Sequence, residues 1–147
     1  MTTIAYRDGM LAADTMLVAD NAIYGFGRKA YRAGRILFAA AGCTARAQRF
    51  RDWMRRGMQG DVPDMHAEKE GDGATGYVYT PDGVEVSFFP NTPPLAAKAE
   101  FYAHGSGGWI ALGAMEAGAT AEEAVRAAAK WDNNTGGDIT VLRHTTP

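Results

Sequence analysis

Cysteine is almost missing from this chain: Cys43 stands alone among 147 residues. A single thiol excludes an intrachain disulfide and any multi-cysteine metal site, and it suits a reducing cytoplasm. Histidine is nearly as scarce. His66, His104 and His144 are scattered along the chain, so no zinc site is indicated. The net charge is only −2, which gives no reason to expect nucleic-acid binding or attachment to an anionic membrane. No apolar run approaches the roughly 18 residues that a membrane helix needs. The start lacks the basic region and long apolar stretch of a signal peptide. The glycines near Gly25 have neither a Walker lysine context nor dinucleotide-binding spacing. His66-Ala67-Glu68 resembles a deaminase fragment, but the cysteine pair such a site requires is absent.

Glycine, by contrast, is abundant, with 18 residues clustered in short motifs. That pattern implies tight turns between short elements. The length suits one domain, spanning 1–147, with a proper core. Thr3 to Arg7 reads as a strand, Asp8-Gly9 as a hairpin turn, and Met10 to Thr15 as a returning strand buried on both faces. A less regular stretch follows. Lys29 to Arg32 and Arg35 to Ala41 form a second hairpin through Ala33-Gly34. A helix is expected from Thr44, capped by that threonine, with Phe50, Trp53, Met54 and Met58 on one face. Its other face is basic, carrying Arg46, Arg49, Arg51, Arg55 and Arg56. That face is either solvated or a docking surface for an acidic partner or neighbouring subunit.

Gly57 to Gly73 is polar and broken, and reads as loop. Thr75 to Thr80 and Val84 to Phe89 pair across Pro81-Asp82-Gly83. After the proline-rich 90–94 connection, a short strand at Phe101 to Ala103 leads into Gly105-Ser106-Gly107-Gly108. A helix follows from Trp109 to Ala117. Thr120-Ala121-Glu122-Glu123 is a capping box for another helix, to Trp131. Asp138 to Arg143 closes the chain as a strand. Helices grouped between hairpin strands favour a layered α+β domain over a Rossmann-type alternation. Two sheets packed together with helices outside would explain the strands that are apolar throughout.

The chemistry centres on Thr2. Removal of Met1 would leave a residue carrying both a hydroxyl and a free amine, and an N-terminal amine serves as general base for a threonine nucleophile. Its reference pKa of about 8 suits that task at neutral pH. With Met1 attached, the amine is absent and this chemistry cannot run. Thr2 is followed by Asp14 after a short strand, Lys29, Gly42-Cys43-Thr44-Ala45, the Gly105–Gly108 run, and Asp132-Asn133-Asn134-Thr135-Gly136-Gly137. Together these motifs resemble the proteasome β-subunit family of N-terminal nucleophile hydrolases. The HslV-like proteases and short phage- or prophage-borne members are the most similar. The resemblance covers most of the chain in order.

That resemblance implies a four-layer αββα sandwich and a threonine endopeptidase that needs no cofactor and no metal. Thr2 matches the catalytic threonine, which forms an acyl-enzyme. Lys29 matches the active-site lysine that lowers the amine's pKa, and Asp14 the aspartate that orients it. Cys43 matches the residue whose backbone amide forms the oxyanion hole, where relatives commonly have glycine. As a thiol nucleophile Cys43 lacks a histidine partner, and it reads as a small buried residue. Ser106 matches the serine that positions the amine and a catalytic water. Asp132 and Thr135 match the aspartate and hydroxyl residue near that amine, with threonine in place of the usual serine.

The implied partners are a peptide or unfolded-protein substrate, further copies of the chain in a ring or open assembly enclosing the sites, and an AAA+ unfoldase. Family members carry two helices before the central hairpin. Here the polar 57–73 stretch implies a truncated first helical layer. An amidase with the same nucleophile is a variant of this reading. A catalytically silent scaffold or assembly protein, possibly phage-related, is the alternative. Retention of Thr2, Asp14, Lys29, Ser106 and Asp132 together favours the enzyme.

Overall fold

The computed structural model describes residues 2–65, 73–90 and 92–144. The chain opens with β1 (Thr3–Arg7) and β2 (Met10–Ala13). Their turn, Asp8-Gly9, has φ angles of 50° and 75°, the left-handed geometry that matches the twist of a two-residue hairpin. A further hairpin occupies the stretch that the sequence reading left irregular: β3 (Met16–Ala19) and β4 (Ala22–Phe26). It turns at Asp20-Asn21, with φ of 49° and 61°. Asp and Asn enter this region because their short polar side chains bond locally. The turn holds no glycine, so the sequence carries no strong hairpin signal at this point.

Next come β5 (Ala30–Ala33), β6 (Ile36–Gly42) and α1 (Thr44–Arg55). Cys43 takes the N-cap of α1 without a side-chain cap bond, and Thr44 is already helical, so the expected threonine cap does not form. Phe50, Trp53 and Met54 are buried as expected, but Met58 lies past the helix end and is exposed. Residues 57–65 form no helix or strand. Residues 66–72 of the expected loop, with the His66-Ala67-Glu68 fragment, lie outside the described residues. The chain continues with β7 (Ala74–Tyr79), β8 (Val84–Phe88), β9 (Leu95–Lys98) and β10 (Phe101–Gly105). It ends with α2 (Gly108–Glu116), α3 (Ala121–Trp131) and β11 (Thr140–Arg143). The exposed strand β9 had no alternation to betray it. The capping box at Thr120 and Glu123 forms in full.

All pairing is antiparallel. One sheet runs β10-β1-β2-β11 and another β5-β6-β7-β8-β9, with β3-β4 as a separate ribbon. Three apolar layers follow from the two-residue period of the strands. Ile4, Tyr6, Leu11 and Ala13 point from the first sheet onto Leu37, Ala39 and Tyr79 of the second. The intervening Ala5 and Ala12 face α2 and α3, meeting Ala111, Met115 and Val125. On the far side of the second sheet, Phe38 and Val78 meet Phe50, Trp53 and Met54 of α1. Strands covered on both faces read as continuous apolar runs, which is the reason β2 and β6 show little alternation. Among the described residues no helix is long and apolar enough to cross a membrane.

Candidate active site

Thr2 sits just before β1 and is almost buried, 6% exposed. Its carbonyl accepts a hydrogen bond from the Ser106 amide at 2.9 Å, and Thr3 pairs with Gly105 across β1 and β10. Gly105 has φ of 95°, and a Cβ there would collide with the Thr2 carbonyl. Only glycine lets the two strands close at this point. The Gly-Ser-Gly-Gly run therefore clamps the backbone of Thr2.

Asp14 follows β2 directly and is fully buried. One carboxylate oxygen accepts from Lys29 Nζ at 2.9 Å and from the Thr3 amide at 3.0 Å. The other accepts from the Gly136 amide at 3.2 Å. A buried carboxylate needs such partners, and these three tie together the start of β1, the end of β2 and the 132–137 loop. Lys29, just before β5, is also buried. Burial pushes its pKa down, and attraction to Asp14 and their hydrogen bond partly offset this. Lys29 and Thr2 line the same solvent-open cleft.

A second network lies alongside. Asp132 accepts from Ser106 Oγ at 2.7 Å and Thr135 Oγ1 at 2.6 Å through one oxygen, and from the Asn134 amide at 3.2 Å through the other. Desolvation opposes the charge on Asp132, yet these donors prevail and hold its carboxyl below the usual range. Thr135 Oγ1 is also 2.6 Å from Thr3 Oγ1, which accepts from the Gly107 amide at 3.1 Å. Because Thr135 donates its only hydroxyl proton to the carboxylate, Thr3 must donate to Thr135. The order is thus Gly107 amide, Thr3, Thr135, Asp132, with Ser106 joining from the other side. Thr3 is the member that sequence reading missed. A second threonine beside the first carried no motif, and its role emerges only when β1 lies against the 132–137 loop.

Cys43 does not fit the role expected of it. Its amide donates to the Gly73 carbonyl at 2.8 Å, so that N–H is committed within the sheet. Antiparallel pairing alternates the direction of successive N–H groups. With Cys43 bonded toward β7, the neighbouring Gly42, opposite Ala74 in the register, turns its N–H toward the other edge of β6. Gly42 lines the cleft together with Thr2 and Lys29. The Cys43 thiol is half-buried rather than buried. The Arg46 amide, followed by Ala45's amide and the Arg46 side chain, holds it below the ordinary thiol pKa against a smaller opposing effect of burial.

The described histidines have structural partners. His104 Nε2 is 2.6 Å from Glu85 Oε2, and its ring stacks on Tyr77. His144 lies between the Arg35 carbonyl and the Tyr6 hydroxyl, 3.0 Å from each. Among the described residues no cluster of three metal-ligating side chains occurs.

Neither protein-family models nor curated proteins match the chain by sequence. Solved structures do match by shape. Thiobacillus denitrificans BPH in complex with epoxomicin superposes with a TM-score of 0.68 and 20% identity, over 99% of both chains. Thiobacillus denitrificans BPH alone gives 0.67, with the same identity and coverage. The chain has the fold of these structures along its whole length.

Proposed function

We propose that this protein is a threonine-type peptidase with the four-layer αββα fold of the proteasome-like N-terminal nucleophile hydrolases, built as one domain. The observation that carries this reading is that Lys29, paired with the buried Asp14, lines the same cleft as Thr2. A buried ion pair is an expensive way to stabilise a fold, and perturbed, desolvated groups in clefts mark functional sites.

The steps follow from the chain's own groups. Removal of Met1 exposes the Thr2 amine. That amine takes the hydroxyl proton, directly or through water, as Thr2 Oγ1 adds to a peptide carbonyl. The cation at Lys29 favours the deprotonated forms of both groups. The Gly42 amide, in place of Cys43's, donates to the developing oxyanion. The proton passes to the leaving amine, the peptide bond breaks, and an acyl ester remains on Thr2. Water, activated by the same amine, hydrolyses the ester. Ser106, Asp132, Thr135 and Thr3 hold the backbone and amine in register. BPH binds epoxomicin, and we extend that property to this chain.

The proposal extends to assembly. Ile23, Tyr24 and Phe26 of β4, and Trp109 and Trp131, are 57–84% exposed, an unusual amount of large apolar surface. It supports a homo-oligomer, ring or open; that the assembly works in the cytoplasm on unfolded protein with an AAA+ unfoldase as partner is proposed from the family resemblance alone. The test is hydrolysis of a denatured protein by chain shown to lack Met1. Thr2→Ala is expected to abolish it. Equal hydrolysis by Thr2→Ala would refute the assignment.

A further inference from the structure

The cleft beside Thr2 has an unusual charge balance. Its lining includes three cations, Arg28, Lys29 and Arg51, and no carboxylate. Lys29 is paired with Asp14. Among the described residues neither Arg28 nor Arg51 forms an ion pair with an acid. Arg51 is the member of the basic face of α1 that reaches the cleft, where its Nη1 donates to the Tyr31 hydroxyl at 2.5 Å. The Tyr31 hydroxyl in turn donates to the Arg28 carbonyl at 2.6 Å, and Arg28 Nε donates to the Ala30 carbonyl at 2.9 Å. Both arginines are thus oriented by bonds that use part of their donor sets. A guanidinium has five N–H donors, so each keeps several for a ligand.

An apolar wall would normally argue for an apolar side chain in such a cleft. Here the Tyr31 ring is already occupied. Arg51 and Arg28 place their guanidinium carbons 4.6 and 5.3 Å from its centre, and Phe38 stacks at 5.7 Å. The rest of the lining is mixed: Leu17, Val18 and Ala47 are apolar, and all the charge is positive, from Arg28, Lys29 and Arg51. A carboxylate entering there meets two unneutralised charges beside low-dielectric walls, whereas a lysine or arginine side chain meets like charge. The cleft adjoins both Thr2 and Gly42, so it receives the side chain of the residue whose carbonyl is attacked.

We infer that the peptidase selects substrates with an acidic side chain, Glu or Asp, immediately before the cleaved bond, and that Arg51 with Arg28 determines this preference. The inference rests on the peptidase reading above. The experiment uses three fluorogenic peptides that differ only in having Glu, Leu or Arg at that position, with chain shown to lack Met1. The Glu peptide is expected to give the highest kcat/KM and the Arg peptide the lowest. Arg51→Leu is expected to cut the Glu-to-Leu ratio by about 10- to 100-fold, the value of a charge-assisted hydrogen bond. Higher kcat/KM for the Leu or Arg peptide, or an unchanged ratio in Arg51→Leu, overturns the inference while leaving the peptidase intact. No turnover of any peptide counts against the peptidase reading instead. In that case, peptides ending in Glu, Leu or Arg are titrated into Thr2→Ala and into Thr2→Ala with Arg51→Leu. Tightest binding of the Glu peptide, lost with Arg51, supports the pocket assignment; equal binding of all three overturns it.

Discussion

Lys29 shows how much one residue can concentrate. Its amine is desolvated, bonded to a buried carboxylate, and shares a cleft with the hydroxyl it is proposed to activate. Lys29→Met keeps the volume and removes the cation. The account predicts a loss of roughly 10²–10⁴ in kcat, the usual worth of such acid–base and electrostatic assistance, read from steady-state kinetics. Thr3 offers a different kind of test. Its hydroxyl bridges the Gly107 amide and Thr135 inside a buried network. Thr3→Val leaves that amide without an acceptor, which costs about 1–3 kcal/mol, measurable by denaturant unfolding. Motif and order survive in a linear text, so Thr2, Asp14, Lys29, Ser106, Asp132 and Thr135 can be picked out as candidates from the sequence. The direction of the Cys43 amide cannot, because a strand's register decides which N–H faces a cleft, and residue identity carries no trace of that. Thr3 was invisible for the same reason.

At the scale of elements, the hairpins announced by Asp-Gly and Pro-Asp-Gly turns were readable, as was the capping box of α3. The β3–β4 ribbon and β9 were not, since one turns without glycine and the other is exposed along its length. Helix α1 shows what apolar periodicity predicts well. Phe50 is fully buried against Phe38 and Phe88, and Gly76 leaves room for its ring. Phe50→Ala opens a cavity there and is expected to cost about 3–5 kcal/mol, seen as a lowered unfolding midpoint. The layer between the two sheets makes a pH prediction. Burial, the largest cause at each, raises Tyr6 and Tyr77 to about 12. Their ordinary value is 10.0, so the unfolded chain releases these protons first as pH rises. The stability they confer is complete below pH 10 and falls between 10 and 12, by about 1.4 kcal/mol per pH unit for each tyrosine. Unfolding free energies measured from pH 8 to 11 should show this decline, and Tyr6→Phe should flatten it.

For the molecule as a whole, two sheets and their flanking helices bring residues from 2 to 136 into one hydrogen-bonded neighbourhood. Thr3, Lys29 and Gly136 are far apart in sequence and are joined by three hydrogen bonds to the Asp14 carboxylate. That convergence gives the fold its functional reading, and it all depends on Thr2 acquiring an amine. The most direct measurement is therefore the intact mass of purified protein before and after incubation with epoxomicin, beside Thr2→Ala. The account predicts loss of Met1 and one covalent adduct in the natural chain, with no adduct in Thr2→Ala. Retained Met1 with no adduct, or an equal adduct in Thr2→Ala, would contradict it.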